Sequence, residues 1–393
     1  MMEPAVAGQT VPRAFLRVGG ATLAQHQLGL ALALDCQRVI CVARGSSPEM
    51  IAFQHKAEDA GLQFHIATGA RPLAGLVTAN DELVVIDEAL FVDPVGVVPL
   101  FEGRTSAVLV QPVEGGLAAG FERIDINRAS AGVMRIPGQL VESLQQLPED
   151  CDVSSALTRI ALQSGVAMRE VPAALRTGIN WRLIRDEADA HAVEIDWLRE
   201  RFANGETAAP GRAVARYGVL TFGSSLLHAG NASNIMSLAV LTVLALAGGF
   251  AWFGLVVAAF LSLTAASLLV EACRFLRIAE RHALGQLPPA IPRTDVLRWL
   301  VDTVFGLSLL AGIPRLGGES LISWLFPAAM LMLLLAMIPR FVTGAVASLV
   351  ADRATLGLAL AFAAGFGQVE GLVEVLAVTL VVVGMVLPLR RKD

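Results

Sequence analysis

Residues 231–250 read NASNIMSLAVLTVLALAGGF, and residues 251–276 continue as AWFGLVVAAFLSLTAASLLVEACRFL. From Asn231 to Val270 there is no charged side chain. An α-helix needs about 20 predominantly apolar residues to cross the hydrocarbon core of a bilayer, so this stretch predicts two membrane spans. They run from Asn231 to Gly248 and from Ala251 to about Leu276, joined by a tight turn at Gly248-Gly-Phe-Ala251. Toward the C-terminus, Leu297–Ile313 and Leu321–Ile338 read as further spans. Beyond Arg340, Asp352 and Arg353 interrupt the apolar pattern, which leaves either one long broken helix or two shorter spans before Val369. The last span, Leu372–Leu387, stops at Arg390-Arg-Lys392. Arg274, Arg277, Arg281 and His282 follow the second span, and the positive-inside rule places that basic end in the cytoplasm. Six spans with both termini cytoplasmic is the expectation.

Toward the N-terminus the regime changes. Ala203–Gly211, with Gly205, Pro210 and Gly211, reads as a linker, and Arg212–His228 as an interfacial helix with Arg212, Arg216 and Tyr217 at headgroup level. Residues 1–200 mix charged residues with short apolar runs, giving a water-facing domain ahead of a 201–230 connection and a 231–393 membrane domain. The whole-chain averages, 55% apolar with mean hydropathy +0.62, conceal this asymmetry. A net charge of −5 without a basic face or tail argues against a nucleic-acid partner. The first 20 residues have no apolar core behind a basic start, so the first domain is expected in the cytoplasm. Cys36, Cys41, Cys151 and Cys273 lack zinc-like spacing and are expected as reduced thiols.

Within the first domain, helical and strand-like segments alternate. Ala21–Leu34 reads as a helix, Arg38–Ala43 as a buried strand, Pro48–Gly61 as a helix and Leu62–Ala67 as a strand. Leu83–Asp87 and Ser106–Gln111 read as two more strands, and Gln139–Leu147 and Ser154–Ser164 as helices, the latter with Asp152 as N-cap. Such alternation predicts an α/β fold with a mostly parallel sheet and helices on both faces.

The segment Pro12-Arg-Ala-Phe-Leu-Arg-Val-Gly-Gly-Ala-Thr-Leu23 resembles the part of GT-A-like sugar nucleotidyltransferases that follows their nucleotide loop. The resemblance covers roughly residues 12–185. It implies a GT-A-like sandwich, places Arg13 where those enzymes contact phosphate, and makes Gly19 and Gly20 part of the nucleotide-side turn. It also aligns the strand-end Asp87 in Leu83-Val-Val-Ile-Asp87 with a divalent-metal ligand, with Asp93 nearby as a second acidic candidate. The glycine-rich loop of that family is not recognisable in Met1–Val11, and with it go the backbone donors that hold a triphosphate.

Residues 200–388 are similar to CDP-alcohol phosphotransferases, through Arg216-Tyr217 and Ala232-Ser-Asn234-Ile-Met-Ser237 at the start of the first span. Those enzymes hold two metals with D-x-x-D-G-x-x-A-R followed, eight residues on, by G-x-x-x-D-x-x-x-D. Here Val270-Glu-Ala-Cys-Arg-Phe-Leu-Arg277-Ile has cysteine and arginine where the second Asp and the Gly are expected. Arg298-Trp-Leu-Val-Asp302-Thr-Val-Phe-Gly306 keeps one Asp and ends on Gly. Glu271 and Asp302 are the surviving carboxylates, and two carboxylates do not make a two-metal site. The order of the two halves is that of bifunctional inositol-phosphate cytidylyltransferase/CDP-alcohol phosphotransferase proteins. That resemblance implies a membrane-bound transferase lineage with a nucleotide or CDP-alcohol as ligand, Mg as the metal of an active form, and a homodimer or an active paralogue as partner.

Read by themselves, Arg274, Arg277 and Arg281 fall along one helical face and suit either an anionic lipid headgroup or simple anchoring at the membrane surface. Asp302, an ionisable residue within a span, is either functional or paired with nearby Arg293 or Arg298. The glycines at 19 and 20 suit a tight turn, and His26 and His191 read as satisfied or surface residues. The leading expectation is a catalytically degenerate protein that serves phospholipid or glycolipid synthesis as binder, scaffold or regulator. A transferase with a rebuilt site and a transporter of lipid or small solutes are the alternatives.

Overall fold

The computed structural model describes residues 12–43, 45–148, 151–203, 209–228, 232–284, 294–315, 320–341 and 344–386. The chain divides into two compact units, Met1–Trp197 with His282–Gly285 and Leu198–Arg281 with Gln286–Asp393. Met1–Val11, in which the family's glycine-rich loop was sought, and the C-terminal Arg390-Arg-Lys392 lie outside the described residues.

In the first unit the elements run in the order β1 (Arg17–Val18), β2 (Ala21–Thr22), α1 (Leu23–Ala33), β3 (Arg38–Val42), α2 (Pro48–Asp59), β4 (Gln63–Ala67), α3 (Ala70–Leu76), β5 (Glu82–Ile86), β6 (Leu90–Val92), α4 (Pro94–Val97), β7 (Ala107–Pro112), α5 (Val113–Ala118), β8 (Arg128–Pro137), α6 (Val153–Gln163), β9 (Ala167–Glu170), α7 (Ala173–Arg176), β10 (Trp181–Leu183) and α8 (Glu187–Ala203). The helix starts follow local chemistry. Thr22 and Gln25 close a capping box on α1, Ser47 caps α2 ahead of Pro48, and the Asp152 carboxylate accepts from the N–H groups of Ser154 and Ser155 at α6. Gln139–Leu147, expected as an α-helix, is instead a 3-10 segment over Gly138–Gln146. It is short, and Pro137 and Pro148 bracket it, which leaves little room for regular α-helical bonding.

The sheet corrects the mostly parallel expectation. β3 and β4 do pair in parallel, but the four-stranded sheet has the order β5-β8-β7-β9, with β8 antiparallel to both neighbours and only β7 and β9 parallel. β8 reads as no strand in the sequence for a physical reason. It is buried on both faces, so its residues do not alternate, and Gly132, at φ +79°, sits where the pairing with β7 shifts register between Val108 and Val110. A glycine bulge of this kind interrupts the strand signal. One core of this unit gathers Met134, Ile136, Val141, Leu144 and Leu157 between the sheet, α6 and the 3-10 segment, and a second gathers Leu90, Leu109, Val133 and Trp181.

The second unit is entirely helical among the described residues: α9 (Pro210–His228), α10 (Ala232–Trp252), α11 (Val256–Leu284), α12 (Thr294–Gly312), α13 (Leu321–Phe341), α14 (Ala345–Val350), α15 (Arg353–Gly365) and α16 (Val369–Val386). Among the described residues, four helices are long and apolar enough to cross a membrane: Ala232–Trp252, Val256–Glu280, Leu321–Ile338 and Val369–Val386. Two expected spans differ. α12 carries Asp295, Arg298 and Asp302, and α15 has 13 residues, roughly 20 Å of helix against a core of about 30 Å. The turn between the first two spans also moves. α10 runs straight through Gly248 and Gly249 and ends at Gly254, whose φ of +73° closes a Schellman motif through Leu255 N–H to Phe250 O (2.8 Å) and Gly254 N–H to Ala251 O (3.1 Å). Phe260, Leu263, Phe305, Leu331 and Leu360 are fully buried at the centre, whereas Leu246, Trp252, Phe326, Leu333, Val375 and Val378 are exposed, as suits helices whose outer faces meet lipid.

Candidate functional site

The first unit places Asp87 directly after β5. Its N–H donates to Gly132 O at 2.9 Å, and the Gln27 side-chain amide holds the following loop by donating to the carbonyls of Asp87, Glu88 and Leu90. The Asp87 carboxylate accepts from the Ser154 hydroxyl, and the neighbouring Ser155 hydroxyl donates to Glu122, so the first turn of α6 engages two acidic side chains. Burial pushes the Asp87 carboxyl above the usual range; the Ser154 bond opposes this, and the charges of Asp152 and Glu122 add to it. A small cavity of about 180 Å³ beside it is lined by Asp87, Ser130, Gly132, Ser154 and Thr158.

The other candidates of this unit are committed elsewhere. Asp93 caps α4 by accepting from Val95 N–H at 3.0 Å. Arg13 opens the 3-10 turn Arg13–Phe15. Gly19 and Gly20, at φ +64° and +86°, form the two-residue turn between β1 and β2, a conformation that side chains with a Cβ resist. The Gly19 N–H donates to the fully buried Glu194 at 2.9 Å, and a Cβ at Gly19 would lie 2.6 Å from the Trp197 ring. Glu194 and Trp197 were not anticipated, because nothing local in α8 signals a partner 175 residues earlier. His26 is satisfied, with Nε2 2.9 Å from Val18 O and its ring edge-on to Phe91. Hard divalent metals take several oxygen ligands. Among the described residues, no three His, Cys, Asp or Glu side chains converge as such a ligand set, and Asp87 and Asp93 are not joined in one.

The second unit carries a denser arrangement. A cleft enclosing about 480 Å³ is lined by residues from the start of α9, the middle of α11, the second turn of α12 and the α14–α15 junction. Its charged lining is Arg212, Glu271, Arg298, Asp352 and Arg353. Glu271 pairs with Arg212 at 3.5 Å and with Arg274, one helical turn along α11, at 3.2 Å. Asp302 accepts from Arg353 Nε at 2.7 Å, and the Arg353 Nη1 donates to Val350 O at 3.2 Å. The Arg353 side chain is only 8% exposed and that of Asp302 is 31% exposed. Asp352 is spent on backbone: one oxygen caps α15 at Ala354 N–H (3.0 Å), and the other accepts from Gly211 N–H (2.7 Å).

Glu271 lines the cleft and Asp302 is bonded to its lining, but the partner expected for Asp302 differs. Asp302 pairs with Arg353, not with Arg298, while Arg293 lies outside the described residues. Arg353 and Asp352 belong to the stretch whose span assignment was left open; an ionisable pair inside an apolar run is the signal that marks them. Of the basic candidates, Arg274 is tied to Glu271. Among the described residues, the buried Nε and Nη2 atoms of Arg277 have no hydrogen-bond partner, and the Arg281 side chain lies outside the described residues. One turn beyond Arg277, the buried Glu280 accepts from both the N–H and the hydroxyl of Ser233, at 3.1 and 2.6 Å, and so caps α10 from a neighbouring helix. With Glu271 and Asp302 each held by guanidinium groups, the donor set of the cleft does not fit a pair of divalent metals.

Comparison with known proteins adds little. No protein-family model matches the chain, and no curated protein matches it. Among solved structures, a UDP-glucose pyrophosphorylase from Acinetobacter baumanii aligns with 49% of this chain and 87% of its own, at 10% identity and a TM-score of 0.34. That is a weak likeness in fold and carries no statement about activity. The protein is therefore described as membrane-embedded, with an N-terminal mixed α/β region and a C-terminal block of long apolar helices.

Proposed function

We propose that this protein descends from the two-domain cytidylyltransferase/CDP-alcohol phosphotransferase lineage, has lost both catalytic activities, and serves phospholipid synthesis as a binder, scaffold or regulator. The inositol-lipid type, or a related glycolipid, is the branch the sequence resemblance favours. The observation that carries this reading is the fate of Glu271 and Asp302. In the motif they resemble, carboxylates face metal ions; here they face Arg212, Arg274 and Arg353. A guanidinium bound to a carboxylate fills the position a metal needs, which speaks against a two-metal phosphotransfer here. In the first unit, the half-buried Asp87 bonded to Ser154 and the Gly19 N–H turned toward Glu194 support the same conclusion for nucleotidyl transfer. The soluble unit then persists as a scaffold for an active paralogue, or within a homodimer.

The test is thermal stability of the detergent-purified chain against CTP, CDP-inositol and inositol phosphate, each with and without magnesium, together with an assay for turnover. The expected result is no magnesium-dependent stabilisation and no product, with an active transferase copurifying from native membranes. Turnover of CTP or of a CDP-alcohol by the purified chain alone would overturn the proposal.

A further inference from the structure

The cleft of the helical unit is lined by the guanidinium groups of Arg212, Arg298 and Arg353 and the carboxylates of Glu271 and Asp352, and Arg274 and Asp302 are bonded to this lining, to Glu271 and Arg353 respectively. Four positive against three negative charges leaves one positive charge in excess. The excess has an address. Arg212 and Arg274 share Glu271, and Arg353 is bound to Asp302 and Val350 O. Arg298, which lines the cleft from α12 and is half-buried, makes no hydrogen bond or ion pair within the described residues. The Glu271 and Asp302 carboxylates act on Arg298 through space, but each is already bonded to other guanidinium groups, so Arg298 keeps its donors free for a further anion.

We infer that this cleft binds a phosphate group without a divalent cation, with the Arg298 guanidinium as its principal contact and Arg212 beside it. The inference rests on the reading above that Glu271 and Asp302 no longer hold metals, and it names what the altered site takes instead. The ligand class follows from the donors. Arg298 offers its whole planar fork of N–H groups, and Arg212 uses Nε toward Glu271, which leaves its terminal nitrogens to turn inward. Two forks call for more than the two oxygens of a carboxylate, and a phosphate supplies them. Of the carboxylates in the cleft, Glu271 is bonded to Arg212 and Arg274, and Asp352 is held by the N–H groups of Gly211 and Ala354, which tempers their repulsion of an anion. A phosphate supplies the negative charge that the excess guanidinium lacks. The phosphate is carried either by a lipid headgroup or by a soluble phosphate ester; the chemistry is the same for both.

The experiment measures the shift in melting temperature of the purified full-length chain in EDTA. Three pairs of probes are used: glycerol 3-phosphate against glycerate, phosphatidic acid in mixed micelles against diacylglycerol, and each phosphate probe again with magnesium. A stabilisation by the phosphate probe that glycerate and diacylglycerol fail to give, unchanged by magnesium, is expected. A shift with the lipid alone assigns the headgroup as the source, and a shift with both assigns the phosphate itself. R298Q should lose at least tenfold in apparent affinity, and R298K should retain part of it. Without ligand, R298Q should melt no lower than the parent, because Arg298 makes no hydrogen bond or ion pair among the described residues; this separates a binding residue from a structural one. No shift with either phosphate probe, a shift that requires magnesium, an equal shift with glycerate, or full binding by R298Q would each overturn the inference. Catalytic turnover with magnesium would overturn the proposed loss of activity while leaving the metal-free phosphate measurement to be judged separately.

Discussion

Asp302 and Arg353 show how a single ion pair ties distant parts of the helical unit together, since 51 residues separate the two. Arg353 is nearly inaccessible and Asp302 keeps partial solvent contact. Removing one partner leaves the other charge without compensation in an apolar setting, at a cost of roughly 3 kcal/mol. D302N and R353M are each expected to lower the melting temperature markedly, while the double replacement with apolar residues should recover much of the loss. A double-mutant cycle on melting curves measures the coupling; additive losses would contradict it. Asp87 gives a prediction in pH. Burial, reinforced by Asp152 and Glu122, holds its carboxyl above the usual carboxylate range. As pH rises the unfolded chain loses this proton first, so the folded state binds more protons across the window between the ordinary and the raised value. The stability contributed at this site therefore falls as pH rises through that window and levels off above it. D87N should remove that dependence and slow hydrogen exchange at the β5 and β8 amides near neutral pH, whereas faster exchange would mean that ionised Asp87 stabilises the fold.

At the scale of elements, the approach of α15 to α11 depends on Gly357. A Cβ there would lie 2.4 Å from the Thr264 hydroxyl oxygen, with Phe260 O and the Phe305 ring at 3.2 Å. Small residues let membrane helices pack closely, and overfilling such a contact typically costs about 1–3 kcal/mol. G357A is expected to destabilise the helical unit by that amount in thermal melts, with G357V worse; a neutral G357A would show that α15 is free to shift. The start of α15 is fixed independently by Asp352, whose two oxygens hold Ala354 and Gly211 N–H groups. D352A removes an N-cap as well as the tie to α9, and should cost about 1–2 kcal/mol. The same substitution should weaken phosphate binding only modestly, because the Asp352 carboxylate is bonded to the Ala354 and Gly211 N–H groups and not to Arg298.

At the scale of the whole molecule, the four long apolar helices predict that the full chain stays in the membrane pellet after alkaline extraction, and release into the supernatant would contradict a spanning arrangement. The division into an α/β region and a helical block was legible from residues 231–276 and from the helix–strand alternation before them, since both signals are local. Hydropathy over some 20 residues and the periodicity of short segments are fixed by neighbours in the chain. The capping roles of Asp152 and the Gly19-Gly20 turn were legible for the same reason. What the sequence alone could not determine was every relation between distant residues. The antiparallel insertion of β8 between β5 and β7, the capture of the Gly19 N–H by Glu194, and the choice of Arg353 as partner of Asp302 all join segments far apart in sequence. Glu271 and Asp302 could be named as surviving carboxylates from their motif. That they are bound by arginines, and that Arg298 lines the cleft without a bonded carboxylate among the described residues, was decided only by tertiary structure, because pairing depends on which side chains the helices bring within a few ångströms of one another.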